Sequence, residues 1–349
     1  MDGLIAIKPE QTGGISRRKF LRNTGLFLVI MCGSFAFAGN LFKHLQKSEQ
    51  TRSLMGTFAS ITVYATDKES GLDAINTAFS RINEIESRAS IFNENAEAFR
   101  LNRDGYINNP SDDLLKLTAM SQNYYWQTGG YFDITVQPLL DLWGAGELWK
   151  ESPEIQQEKI NEAAGIIGSD KINITKDRLS FAAEGMKITL GAIAKGYAAN
   201  EAVRVLESKG IEHALVDIGS DISILGSKPG GEPWHIVIIN PEDTSQSLAT
   251  LALSNKSITT SGNYQRYFTP DMKVHHIMNP KTDHSANECI SATVITEDGA
   301  LADTLATSIF AMGPKAGLEF VEALDNTECL LVNADRAIFK SSGLYDYSG

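Results

Sequence analysis

The run Ile188-Thr-Leu-Gly-Ala-Ile-Ala-Lys-Gly-Tyr197 is apolar up to Gly191, then passes into an Ala-rich stretch that continues to Val203. Ala199, Val203 and Leu206 fall on one helical face, so the spacing predicts a short strand that turns at Gly191 into a helix. A fold built around it must contain both strand and helix. The junction leaves backbone N–H groups unpaired at the helix start, where an anion can sit, and Lys195 in the first turns can reach back to a phosphate. The G-x-x-x-x-G-K-[ST] spacing of a Walker loop is absent. By itself the stretch reads rather as an ordinary strand-to-helix turn with a surface Lys.

The rest of the chain alternates strand and helix signals in mixed order. Met55–Tyr64 has β-rich alternation, and Ile75, Phe79, Ile82 and Ile85 set a helix over Asp73–Arg88. A loop at Ser90–Asn95 and a short helical stretch to Asn102 follow. Ser111 is an N-cap candidate for a helix over Asp112–Gln127, which Thr128-Gly-Gly130 ends. Residues 145–160 read as a polar, irregular excursion, 161–168 as a short helix, and 171–174 and 179–181 as strands. After the helix from 192 to about 208, capped by Gly210, come β segments at 214–225, 234–239, 248–253, 257–260, 274–280 and 292–296, with a turn at 261–263. Helices at 300–311 and 315–324 and a final strand pair close the chain. Several hairpins and no regular βαβ order predict an α+β fold, mixed β-sheets with packed helices.

With 349 residues the chain suffices for one large domain or two. A net charge of −12 argues against nucleic acid as a partner. There is no Cys-x-x-Cys pair, which excludes a zinc ribbon or thioredoxin-type site; Cys289 and Cys329 read as two thiols or one disulfide. Residues 1–39 read as an export signal: Ser16-Arg-Arg-Lys-Phe-Leu21 resembles the twin-arginine signature, an apolar run covers Leu26–Ala38, and Ala36-Phe-Ala38 precedes Gly39 as a small-x-small cleavage site. Residues 1–38 carry five basic and two acidic groups, so removing them takes the net charge from −12 to −15. The alternative is an uncleaved segment that associates with the membrane. The expected location is the periplasm. A main domain spans 50–335 and a C-terminal tail 336–349.

Asp303 and Thr307 are four apart on one helix and share a face, where a carboxylate and a hydroxyl suit a hard cation. Taken alone, Asp303 reads rather as an early-turn acid favoured by the helix dipole. His275 and His276 lie on a strand and point to opposite faces, so only one can serve a given site as a base. No H-E-x-x-H pair and no G-x-S-x-G elbow occurs.

Eight blocks in order carry a resemblance. They are Met55-Gly-Thr, Ser90-x-Phe92 with Leu101-Asn102, Gly130–Asp133 with Asp141–Gly144, Leu190–Tyr197, Asp217-x-Gly-Ser-Asp221, Thr260-Ser-Gly262, His276–Pro280 and Ala302–Thr307. Together they resemble the FAD:protein FMN transferase (ApbE) family over about residues 52 to 325. The resemblance implies a magnesium-dependent enzyme that splits the FAD pyrophosphate, attaches FMN to a Thr or Ser of an exported acceptor flavoprotein and releases AMP. It implies Asp303, Thr307 and the Ala192 carbonyl as Mg2+ ligands, and Met55, Tyr131, Phe132, Asp133, Thr189, Lys195 and Met278 around FAD, with His276 as the base. Positioning, a metal and a base are what such a transfer needs. The chain departs from the family pattern at Thr189 and Asn279, where Asp is common, at Asp283, where Gly is common, and at Ala192, where a second Gly is usual. The rival expectation is a non-catalytic exported FAD-binding accessory protein of a respiratory complex, such as the nitrous-oxide reductase system.

Overall fold

The computed structural model describes residues 45–243 and 245–348. The expected export signal at 1–39, with Cys32, lies outside them. No helix among the described residues is long and apolar enough to cross a membrane.

The described residues begin with the hairpin β1 (Gln46–Leu54) and β2 (Thr57–Ala65). The helices α1 (Lys68–Ala89) and α2 (Glu97–Asp104), strand β3 (Tyr106–Asn108) and helix α3 (Asp112–Gln127) follow. Next are α4 (Gln137–Trp143), α5 (Pro153–Ile166), β4 (Ile172–Thr175), β5 (Arg178–Phe181) and α6 (Ala194–Ser208). Six strands come next: β6 (His213–Ile218), β7 (Asp221–Leu225), β8 (Trp234–Ile239), β9 (Ser247–Leu253), β10 (Ser257–Gly262) and β11 (Met278–Asn279). The last elements are β12 (His284–Ser285), β13 (Cys289–Thr296), α7 (Gly299–Met312), α8 (Pro314–Glu322), β14 (Glu328–Asn333) and β15 (Ile338–Lys340).

Eight strands form one sheet in the order β1-β2-β6-β7-β10-β13-β14-β15. Every pairing in it is antiparallel. Because side chains alternate along a strand, β6, β13 and β14 each feed two cores. Ala214 and Val216 of β6 face a cluster with Ile75, Phe79, Ile82 and Ile85 of α1 and with α6. Leu215 points the other way, onto Trp234, Ile236 and Leu251 of the β8–β9 hairpin. Farther along, Ala292, Val294 and Leu331 pack under Leu305, Ile309 and Phe310 of α7. The architecture is thus α+β, with helices on one face of the sheet and a hairpin on the other. Burying each large apolar side chain of α1 contributes roughly 1.5–3 kcal/mol, which is what holds the helix to the sheet.

Local rules explain most boundaries. The Ser111 hydroxyl accepts from the Leu114 amide and starts α3, and Asp67 starts α1 the same way through Ser70, six residues before the expected helix start at Asp73. The structure corrects the expected irregular stretch at 145–160: Ser152 caps α5, with Pro153 in its first turn, and the helix runs from 153 to 166. The short strand expected before Gly191 is extended chain outside any sheet; its Ile188 pairs with the Asn102 side chain through both amide and carbonyl. The expected turn at 261–263 starts later, because β10 continues through Gly262, opposite Ser291. The segment read as a tail contributes β15 to the sheet edge. Cys289 and Cys329 are buried free thiols.

Candidate active site

A cavity of about 500 Å³ opens where the β1–β2 turn, the 131–136 segment, the start of α6, β10, the 276–280 segment and α7 converge. Every residue expected at the site lines it: Met55, Tyr131, Phe132, Asp133, Thr189, Ala192, Lys195, His276, Met278, Asp303 and Thr307.

The turn between β1 and β2 has two residues, Met55 and Gly56, with φ of 53° and 71°. Positive φ at both positions makes a type I′ turn, which matches the strand twist. It also holds Met55 at the cavity in a backbone conformation that side chains rarely adopt.

Two glycines bring α6 and α7 together. A Cβ at Gly196 would lie 2.0 Å from the Gly299 carbonyl oxygen, so only glycine permits this crossing. Asp298 caps α7 through Leu301 and accepts from the Asn200 side chain of α6. The crossing delivers Asp303 to the first turn of α6, where its carboxylate accepts from the Gly196 amide at 3.2 Å and from the Lys195 amide. The unpaired amides expected to hold an external anion therefore hold the protein's own carboxylate; those of Ile193 and Ala194 turn back to the Leu190 carbonyl. Thr307, one turn along α7, shares a hydrogen bond with Ser261 at 3.2 Å.

Lys195 is ion-paired with Asp221, whose other oxygen accepts from Thr259 at 3.0 Å. Burial alone lowers the pKa of Lys195, but Asp221 and Asp303 outweigh it and hold the ammonium above the ordinary lysine value. Burial raises Asp303 to about 7, with repulsion from Asp221 adding to it. Asp217 rises to about 7 for the same two reasons. Three carboxylates around one ammonium leave an excess of negative charge. Among the described residues no group of three or more His, Cys, Asp or Glu could hold a metal ion. A cation here would bind through few protein oxygens, Asp303 and Thr307 first, and take its other ligands from solvent or phosphate.

The strand expected over 274–280 is reduced to β11; His275 makes an isolated bridge to Tyr267 and His276 lies in a bend, yet the two rings still part. His275 is fully buried: its Nε2–H donates to the Ala286 carbonyl at 2.9 Å and its Nδ1 accepts from the Ile277 amide. The His276 ring lines the cavity, and its Nδ1–H donates to the Arg266 carbonyl at 2.8 Å. That bond fixes the tautomer and leaves Nε2 as a bare acceptor. Burial pushes His276 down to about 4 against the pull of the Arg266 carbonyl, so the ring is neutral at physiological pH. A neutral imidazole with a free Nε2 can take a proton from a hydroxyl.

Asp133 turns inward. It accepts from the Thr135 amide and hydroxyl and from the Ser169 hydroxyl, and so shapes the 131–136 wall, while burial raises its pKa. Thr189 accepts weakly from the Gly191 amide at 3.4 Å. Asn279 donates to the Ala311 carbonyl at the end of α7, a bond an ionised Asp cannot make. Asp283 sits at φ 61°, where glycine is favoured. The sequence reading assigned no role to Arg266, Gln265, Thr259 or Ser261, all of which line the cavity. Arg266 contributes through its carbonyl, which no residue pattern reveals.

The model of the ApbE family matches residues 55–331. The chain is 28% identical over 342 residues to the FAD:protein FMN transferase of Haemophilus influenzae, covering 92% of this chain and 96% of that protein. It is also 28% identical to the Vibrio cholerae enzyme of the same name, over 80% of this chain and 86% of that one. Among solved structures, the ApbE protein of Thermotoga maritima superposes with a TM-score of 0.77 at 28% identity, over 87% of this chain and all of that one. The flavin transferase ApbE of Vibrio cholerae superposes with a TM-score of 0.73 at 25% identity, over 87% of this chain and 99% of that one. The match runs from the Met55 turn past the end of α7 and so takes in every wall of the cavity: the chain belongs to the ApbE family.

Proposed function

We propose that this chain is an FAD:protein FMN transferase that moves FMN from FAD onto a Thr or Ser hydroxyl of an exported acceptor flavoprotein and releases AMP. One observation carries the reading. A neutral His276 with a free Nε2 and the oxygen donors Asp303 and Thr307 face the same cavity, within the span of the family match. His276 Nε2 takes the proton as the acceptor oxygen bonds to the FMN-side phosphorus. The pyrophosphate P–O bond breaks, and its electron pair leaves with AMP. The donor set of Asp303 and Thr307, beside an excess of carboxylate, fits Mg2+, with the Ala192 carbonyl as a further ligand; bound there, the ion would offset charge on the phosphate oxygens. The turn at Met55 and the 131–133 wall shape the cavity for the flavin nucleotide, and Lys195, locked to Asp221, keeps the acidic floor from repelling it. The twin-arginine pattern at Ser16–Leu21 supports action in the periplasm, with membrane association if the segment stays uncleaved.

The test incubates purified protein, FAD, Mg2+ and candidate acceptor domains, and reads intact acceptor mass and AMP release. The expected result is acceptor carrying covalent FMN with AMP formed in equal amount. Tight FAD binding with no AMP under any acceptor would leave a binding protein and overturn the transferase reading.

A further inference from the structure

Nearly every ionisable group lining the cavity is already committed. Asp133 is held by Thr135 and Ser169, Lys195 by Asp221, and Asp303 by the first amides of α6, while His276 gives its Nδ1 proton to a carbonyl. Arg266 is the exception. Arg266 is exposed, and its guanidinium meets no carboxylate or hydrogen-bond acceptor among the described residues. It leans on an aromatic shelf: its guanidinium carbon lies 5.8 Å from the Phe268 ring centroid, and Phe268 stacks on Trp149 at 6.4 Å with an interplanar angle of 2°. An arginine held against an aromatic ring keeps its N–H groups free for a second partner.

The loop that carries it is fixed. The Phe268 amide donates to the Val274 carbonyl at 2.7 Å, the His276 amide donates to the Arg266 carbonyl at 3.1 Å, and the Gln265 side chain donates to the Thr260 carbonyl at 3.0 Å. Arg266 is therefore tied to His276 through its carbonyl, and both residues line the cavity.

We propose that Arg266 is a pyrophosphate clamp: its guanidinium, braced on Phe268 and Trp149, binds phosphate oxygens of FAD beside His276. This rests on the flavin-transferase reading above. A guanidinium matches phosphate oxygens in a two-pronged geometry that an ammonium cannot reproduce. One residue then registers both reaction partners, its carbonyl orienting the base and its side chain the phosphate to be attacked.

The test is calorimetry of FAD and of riboflavin, which lacks phosphate, on the wild-type protein, Arg266→Gln and Arg266→Lys. Losing charge-assisted hydrogen bonds should weaken FAD by roughly tenfold to a hundredfold in Arg266→Gln. Arg266→Lys should recover part of this, and riboflavin should bind all three proteins alike. Unchanged FAD affinity in Arg266→Gln overturns the clamp. So does an equal loss for riboflavin, which would mark a residue that only shapes the pocket. If the wild-type protein itself binds FAD no better than riboflavin, the clamp fails together with the transferase reading; if only the variants contradict expectation, the clamp fails alone.

Discussion

The Gly196 amide and the Asp303 carboxylate meet at 3.2 Å, joining the start of α6 to the middle of α7. Gly196→Ala would drive a Cβ to 2.0 Å from the Gly299 carbonyl oxygen. The helices must part, and overpacking of this kind costs about 1–3 kcal/mol. Urea unfolding should show that loss, and transfer should fall further than stability, since Asp303 moves with α7.

Asp303→Ala should abolish transfer while the fold is kept, because the helix amides it frees at the cavity can be hydrated. Magnesium titration should show weakened binding, with partial recovery of transfer at high Mg2+ through ligands from phosphate and water. Recovery to the full rate at ordinary Mg2+ would place the metal elsewhere.

His276→Ala should leave FAD binding near normal and cut transfer by ~10²–10⁴-fold, the usual loss for a general base. His275→Ala should do the reverse. It removes the bonds to Ala286 and Ile277 and the edge contact with Phe310 at 5.9 Å, so the midpoint of thermal unfolding should drop while transfer per folded molecule persists. The two variants assayed side by side decide which of the two histidines is the base.

Burial lowers both histidines to about 4, from 6.5 when unfolded. Between those values the unfolded chain binds protons that the folded one refuses, so their contribution to stability falls as pH drops from about 6.5 to about 4 and is level above. For fully buried His275 the full span is on the order of 3 kcal/mol. Urea midpoints of the wild-type protein and His275→Ala should converge as the pH is lowered through that window. The transfer rate, if His276 is the base, should be flat with respect to this group above about pH 5, because its titration lies near 4.

Asp283→Gly should stabilise the protein by about 1 kcal/mol, since the native φ of 61° is unfavourable for a residue with a Cβ. The Trp143 indole donates to the backbone carbonyl of this residue, which the substitution keeps. An unchanged or lower urea midpoint would mean that the Asp283 side chain has a role of its own.

Periodicity and caps made much of the fold legible. The Ile75–Ile85 spacing marked α1, and Ser111 marked the start of α3. Only the second half of α5 was expected, as a short helix at 161–168; its first half escaped because its surface is polar nearly all round and its buried apolar contribution is small, chiefly Ile160 and Ala163. The Ile188–Leu190 segment has a strand's composition but spends its hydrogen bonds on Asn102 and Ile134, partners that only the tertiary structure supplies. At the site, residue types pointed to Asp303, Thr307 and His276. The orientation of the His276 ring depends on a main-chain oxygen of Arg266, which every residue type possesses, so no sequence pattern could single it out.

The inner edge of β2 pairs with β6, as in Ala59 opposite Ile218, with α1 through α6 inserted between them. A growing polypeptide exposes that edge from early in synthesis until the segment ending at Ile218 has emerged. The delay is set by topology, since so distant a closure is slow and an open strand edge invites pairing with other chains. Nascent protein should thus be most vulnerable to aggregation and most dependent on chaperones during this interval, and fragments that stop before residue 213 should be insoluble even though they contain α1, α3 and α6 complete.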